Sequence, residues 1–168
     1  TIFVSAGTYF ENIKITKPLE LIGEDKNTTI INGNGSDVVI YISADHVKIN
    51  GFTITNSSDA GIEIGSGYNI ISDCNISSNK NYGMYLYANP KNTNNVIKNN
   101  IFSNNKQGIY AQNAKTNNIS SNTFTGNAEY GMFLYGESND NIISSNIFTE
   151  NSNYALRIMG SNKNTVVR

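Results

Sequence analysis

The sequence has no tryptophan, one cysteine, one histidine, two prolines and, in 168 residues, only two arginines, Arg157 and Arg168. The lone Cys74 excludes a disulfide scaffold. With 12 Lys+Arg against 13 Asp+Glu, no basic surface offers itself to phosphate, so nucleic acid is not an expected partner. Only 15% of residues are charged and 10% are aromatic, which is not the composition of a chain held disordered by its charge. No apolar run approaches the ~18 residues of a membrane span, and no signal peptide opens the chain. The first residues, Thr1-Ile2-Phe3-Val4, and the last, Val166-Val167-Arg168, read as strands. From this we expect a piece of a longer, multidomain protein.

What is present in excess is asparagine, with 30 residues or about a sixth of the chain. It recurs inside a repeat. Gly61-Ile62-Glu63-Ile64, Gly83-Met84-Tyr85-Leu86, Gly108-Ile109-Tyr110-Ala111, Gly131-Met132-Phe133-Leu134 and Ala155-Leu156-Arg157-Ile158 are versions of one segment, spaced by 22, 25, 23 and 24 residues. Each unit holds three short apolar-polar alternations separated by Asn, Gly and Ser. Alternation of period two marks strands with one buried face, and those separators mark turns. Three strands in so short a unit are too few for a propeller blade, and no leucine-rich signature is present. The pattern predicts an all-β fold, a right-handed parallel β-helix of about seven coils over residues 1–168. At the strand spacing of ~4.8 Å, that rod is about 34 Å long.

Placing the repeats in register predicts the core as four columns. One runs Ile49, Ile71, Ile97, Ile119, Ile143, Val166 and a second Ile54, Ile76, Phe102, Phe124, Phe148. Two more start at Ile40 and Ile42 and end at Leu156 and Ile158. Asparagine falls into columns too: Asn69, Asn95, Asn117, Asn141, Asn164; then Asn79, Asn105, Asn127, Asn151 after Ser57; then Asn100, Asn122, Asn146 after Phe52 and Cys74. Asn tolerates left-handed backbone at corners, and its amide can donate to one coil while accepting from the next, so these columns are expected to be hydrogen-bonded ladders.

Chemistry is sparse in this register. Asp73 aligns with Asn99, Ser121 and Ser145, and Asp59, Glu129, Asp140 and Glu150 are read as lacking an acidic column neighbour, so no pair of carboxylates for acid-base catalysis is expected. Cys74 reads as a small buried residue, and His46 has no second ligand nearby for a metal. No catalytic residue, metal ligand or cofactor is assigned.

One outward column remains unexplained by folding. On the Gly-led strand the outward residues run Tyr41, Glu63, Tyr85, Tyr110, Phe133, Arg157, and two places on Ser43, Gly65, Tyr87, Gln112, Tyr135, Met159. Tyr85, Tyr87, Tyr110, Phe133 and Tyr135 therefore share one sheet face and form the candidate carbohydrate-binding site, since aromatic rings pack on apolar sugar faces. A ladder of rings that stabilises the sheet, or a contact with a neighbouring domain, accounts for the same pattern. Tyr82, Tyr130 and Tyr154, just before the Gly-led strand, are expected at a corner. The insertion Ala88-Asn89-Pro90-Lys91-Asn92-Thr93 borders this face, and repeat proteins vary in length on the binding side. Five sequons, at Asn27, Asn34, Asn56, Asn75 and Asn118, suit a glycosylated surface protein.

The repeats resemble the NosD-like and pectin-lyase-like group of right-handed β-helices, which includes carbohydrate-binding proteins and sugar hydrolases. The opening adds to this through Gly7-Thr8-Tyr9, Glu11-Asn12-Ile13, Lys17-Pro18-Leu19, Leu21-Ile22-Gly23 and Thr29-Ile30-Ile31. In style the Asn-rich repeats also resemble archaeal surface proteins. The resemblance implies an extracellular or cell-surface module contacting a polysaccharide or cell-envelope glycan. Its alternatives are a polysaccharide lyase or glycoside hydrolase, and a NosD-like factor for copper-site maturation, for which one His, one Cys and three Met are poor ligands. Neighbouring domains, and end-to-end self-association through open strand edges, are further expected contacts.

Overall fold

A computed structural model describes residues 1–87 and 93–167. Among these, 22 strands and no helix form three parallel sheets that wind into one solenoid. The first sheet starts at Ile2–Val4 and ends at Thr165–Val167, with eight strands; the second runs from Gly7–Phe10 to Ile147–Thr149, and the third from Ile13–Ile15 to Tyr154–Met159, with seven each. Every neighbour in a sheet is the strand one coil away, so the chain visits the three sheets in turn.

The inward columns pair as the alternation requires. Ile49, Ile71, Ile97, Ile119 and Ile143 stand in register in the first sheet, and Ile54, Ile76, Phe102, Phe124 and Phe148 in the second. The third sheet carries Ile40, Ile62, Met84, Ile109 and Met132. All but Phe148 are at most 1% exposed, because the three inner faces close on each other. The expected columns are open only at the last described coil, where Val166 and Ile158 are 52% and 40% exposed and no further described coil covers them.

The asparagine columns are continuous ladders. The backbone N–H and the Nδ2 of Asn95 both donate to Oδ1 of Asn117, at 3.0 Å each, and Asn117 repeats the arrangement onto Asn141, and Asn141 onto Asn164. The Asn79 and Asn100 columns do the same through Asn151 and Asn146. Each amide thus closes a corner by accepting twice from the coil before.

One expectation needs correction. The left-handed residues are not the ladder asparagines but the residues directly before them: Tyr68, Asn94, Thr116, Asp140 and Lys163 precede the first column, with φ between 56° and 58°. Asp73, Asn99, Ser121 and Ser145 precede Cys74 and the third column, and Ser78, Asn104, Gly126 and Glu150 precede the second. A left-handed residue adds one extra position between two inward side chains and turns the chain, which aims the next residue into the interior. The ladder residue must then satisfy buried backbone groups, a task only its amide performs.

Candidate functional site

The third sheet carries the aromatic face, and Tyr85, Tyr87, Tyr110, Phe133 and Tyr135 all lie on it. In register, Lys14, Tyr41, Glu63, Tyr85, Tyr110, Phe133 and Arg157 make one outward column, and Tyr87, Gln112, Tyr135 and Met159 the next. Ring centroids lie 5.4 Å apart from Tyr85 to Tyr110, 5.5 Å from Tyr110 to Phe133, 5.5 Å from Tyr85 to Tyr87 and 5.8 Å from Phe133 to Tyr135. The five are one connected strip. They are half-buried, and Tyr135 is the most open at 37% exposed.

Hydroxyls tie the strip together along the rod. Tyr85 donates to Oε1 of Gln112 on the following coil at 2.7 Å, while the Tyr87 and Tyr41 hydroxyls share a 2.9 Å hydrogen bond across two coils. Tyr87 reaches that far because it leans over Gly65, where any Cβ would sit 2.4 Å from the Tyr87 hydroxyl oxygen. At the far end the Arg157 guanidinium lies over Tyr130 and Phe133, 5.4 and 5.0 Å from their centroids, and donates to the Tyr130 hydroxyl at 2.6 Å.

Tyr82, Tyr130 and Tyr154, expected at a corner, belong to this face instead. Tyr82 stacks on Tyr110 at 5.2 Å and contacts Tyr85 at 5.3 Å; Tyr130 contacts Phe133 at 5.3 Å and stacks on Tyr154 at 6.0 Å. The cause is a break in alternation at the glycine. A Cβ on Gly83 would point at Nδ2 of Asn105 and the ring of Phe102, so Gly83 and Met84 both face inward and Tyr82 and Tyr85 both face out. The recurrence of Tyr one place before the glycine was the visible signal. The inserted residues Ala88 to Asn92 lie outside the described residues, while Thr93 is bridged to Lys115.

Beside the strip, at the corner between the second and third sheets, runs a groove of about 870 Å³, lined by Asn56, Ser78, Lys80, Asn104, Lys106 and Glu129 among others. One coil is shorter here. Two residues separate Asn105 from Gly108, whereas three separate Asn79 from Gly83 and Asn127 from Gly131. Gln107 consequently takes the place of a tyrosine between Tyr82 and Tyr130, and donates to Glu129 at 3.1 Å.

Acidic residues meet at the other end. The sequence pattern gives Asp59 no acidic column neighbour, but the register that pairs Ile40 with Ile62, an offset of 22, carries Asp37 beside Asp59. Burial, then Asp59 and Asp37, hold the Glu63 carboxyl above the ordinary carboxylate range. A groove of about 360 Å³ lined by Lys14, Asp37, Tyr41 and Glu63 opens there, with the Lys14 ammonium 5.5 Å from the Tyr41 ring centroid. Asp37 and Asp59 both stand before their strands, Ile40–Ile42 and Ala60–Ile64, where the apolar alternation that sets the columns gives no register.

Copper ligation does not fit the donor set. The single His46 stacks on Tyr68 at 5.3 Å, and burial pushes the Cys74 thiol up to about 12 while its backbone N–H is taken by Asn100. Met84 and Met132 lie in the core, and among the described residues no three His, Cys, Asp or Glu side chains gather as a metal site.

The phenols set a pH limit on this face. Burial, then the neighbouring Tyr110, Tyr82, Glu63 and Asp59, raises Tyr85 to about 12; burial likewise raises Tyr82, Tyr110 and Tyr87, the last also through its bond to Tyr41. An unfolded tyrosine ionises near ~10. Above that pH the unfolded chain releases protons that the folded chain retains, so the stabilisation, complete below about 10, is lost as pH rises through the folded values. Melting followed at stepped alkaline pH should show this fall, and Tyr85→Phe should lessen it. Tyrosines that ionise near ~10 in a chain whose circular dichroism stays native would contradict it.

The family model of the right handed beta helix region matches residues 30–168, and the chain belongs to that family. A solved structure of a mutant PL6 family alginate lyase, AlyGC, superimposes with a TM-score of 0.51 at 14% identity over 95% of this chain. The chain spans 35% of that protein's length, and the likeness is one of fold. No curated protein matches the chain.

Proposed function

We propose that this chain is a non-catalytic, extracellular β-helix module whose third sheet contacts a polysaccharide of the cell envelope. The observation that carries the reading is the unbroken strip from Tyr41 through Tyr87, Tyr85 and Tyr110 to Phe133 and Tyr135, where ring edges alternate with hydroxyls and the Gln112 amide along the rod axis. An extended glycan presents the complementary surface, apolar ring faces edged by hydroxyls. The fold shared with a polysaccharide lyase supports a carbohydrate-facing role.

The rings also pack on one another, so the test must separate binding from stability. Tyr135 touches only Phe133 among the rings, and Tyr135→Ala should leave the melting temperature within a few degrees while lowering retention on an envelope-glycan affinity gel. Tyr85→Ala with Tyr110→Ala removes rings that each contact three others, and should lower both. If the unaltered chain is not retarded by any of a broad set of glycans, or Tyr135→Ala binds as tightly as the parent, the strip is a packing ladder.

A further inference from the structure

The second sheet presents a surface of a different kind. Its outward residues stand in two columns, and one of them places five hydroxyls on consecutive coils: Thr55, Ser77, Ser103, Thr125 and Thr149. The other runs Thr53, Asn75, Ile101, Thr123, Ile147. Neither contains a charged residue, nor do their continuations to Thr8 and Phe10. The first sheet points Glu20, Lys48 and Lys98 outward and the third Lys14, Glu63 and Arg157, so the absence of charge is particular to this face.

The face is also flat and periodic. Directly beneath it the rings of Phe102, Phe124 and Phe148 stack at 5.0 and 4.8 Å with only 7° and 9° between planes, so these coils are nearly translational copies. Adjacent hydroxyls come within bonding reach: Thr149 Oγ1 donates to Thr125 Oγ1 at 3.0 Å. Along each strand the outward positions are about 6.6 Å apart, two residues at ~3.3 Å. The result is a grid of hydroxyls and methyls whose coil repeat is close to the oxygen repeat of ice.

We propose that the second sheet binds ice. A rigid uncharged grid holds first-layer water through hydroxyls at regular intervals, and the methyls of Thr and Ile leave that water bonded chiefly to itself, as the ice surface requires. A lysine or carboxylate would impose its own hydration and break the repeat. Ordered water on such a grid joins a crystal front with no rearrangement of the protein.

The experiment measures thermal hysteresis and inhibition of ice recrystallisation by the purified chain, and adsorption of a fluorescent derivative to a single ice crystal, with an equal concentration of albumin as control. The folded chain should label defined ice planes and slow recrystallisation where albumin does neither. Ser103→Lys with Thr125→Lys should abolish both effects with an unchanged circular dichroism spectrum, while Tyr135→Ala, on the third sheet, should retain them. An unlabelled crystal with the folded parent chain overturns the proposal, as does a double-lysine variant that still binds. A dimer in sedimentation that the double-lysine variant disperses overturns it too, giving the face to a second copy of the chain.

Discussion

Asn122→Ala should destabilise the solenoid by about 3–5 kcal/mol, more than any surface change in this chain. Its side chain is fully buried and makes four hydrogen bonds. Oδ1 accepts from the backbone N–H and Nδ2 of Asn100 at 2.9 and 3.1 Å; Nδ2 donates to the Ile97 carbonyl at 2.8 Å and to Oδ1 of Asn146 at 3.1 Å. Alanine orphans the Asn100 backbone N–H, takes the Nδ2 donor from the Ile97 carbonyl and removes one of two bonds from each of the Asn100 Nδ2 and Asn146 Oδ1, in an interior with no room for bulk water; each buried orphan costs about 1–3 kcal/mol, offset in part by relaxation. Because coils contact only their neighbours, the defect weakens the interfaces on both sides of a central coil. The isosteric Asn122→Asp keeps the volume, removes the donors and adds a charge, so it should be as damaging at neutral pH and milder in acid. Asn164→Ala should cost roughly half as much, because in that residue of the last described coil Oδ1 accepts from Asn141 while Nδ2 has no partner among the described residues. Urea unfolding of the three variants measures this order. A loss under about 1 kcal/mol for Asn122→Ala would mean that the ladder follows the fold without holding it.

The ladders show how far sequence reasoning reached. Columns of identical side chains one coil apart are legible because every coil solves the same burial problem, so apolar residues and asparagines recur at fixed offsets. The left-handed residues were not legible as a class. Tyr68, Asp73, Thr116, Ser121 and Lys163 share a backbone conformation and no side-chain chemistry, since they point to solvent and only φ is constrained. Of the sixteen non-glycine residues with positive φ among the described residues, six are Asn, and none of them is a ladder residue. Two different demands at adjacent positions, a turn and an amide, had been merged into one.

The aromatic face was half legible for a related reason. Strict alternation predicts Tyr85, Tyr110 and Phe133 outward, and they are. It places Tyr82 and Tyr130 wrongly because it counts the intervening glycine as one ordinary step. Three-dimensional facts such as Tyr87 leaning over Gly65 to reach Tyr41, or Asp37 standing beside Asp59, depend on contacts between coils. Tyr41 and Tyr87 stand in different columns two coils apart, and Asp37 and Asp59 lie before their strands, so alternation within a column does not pair them.

That same glycine column makes the other large prediction: Gly108→Ala should cost about 3 kcal/mol or more and broaden the unfolding transition. Its φ is not left-handed, so the requirement is space alone. An added Cβ would lie 2.4 Å from the Gly131 carbonyl oxygen and 2.7 Å from Cδ1 of Phe124, with Nδ2 of Asn127 at 3.3 Å. None of the three can yield cheaply. The carbonyl belongs to the next coil's backbone, the ring is clamped between Phe102 and Phe148, and the amide is fixed by its ladder bonds to Phe102 and Asn151. Gly83 and Gly131 meet the same trio one coil along, and Gly61 meets the carbonyl, the amide and Ile76 in place of the ring, with distances of 2.6 to 3.1 Å. The last member of the column carries its own control. Ala155 occupies the equivalent place in the last described coil and Val39 in the coil before Gly61, so the column is glycine only from Gly61 to Gly131. Ala155→Gly should therefore cost no more than about 1 kcal/mol, the backbone-entropy penalty of glycine in a strand. Denaturant midpoints of the two variants decide the matter: if Gly108→Ala unfolds with Ala155→Gly and the parent, coil spacing is looser than the carbonyl contact requires, and the column is glycine for some reason other than close approach.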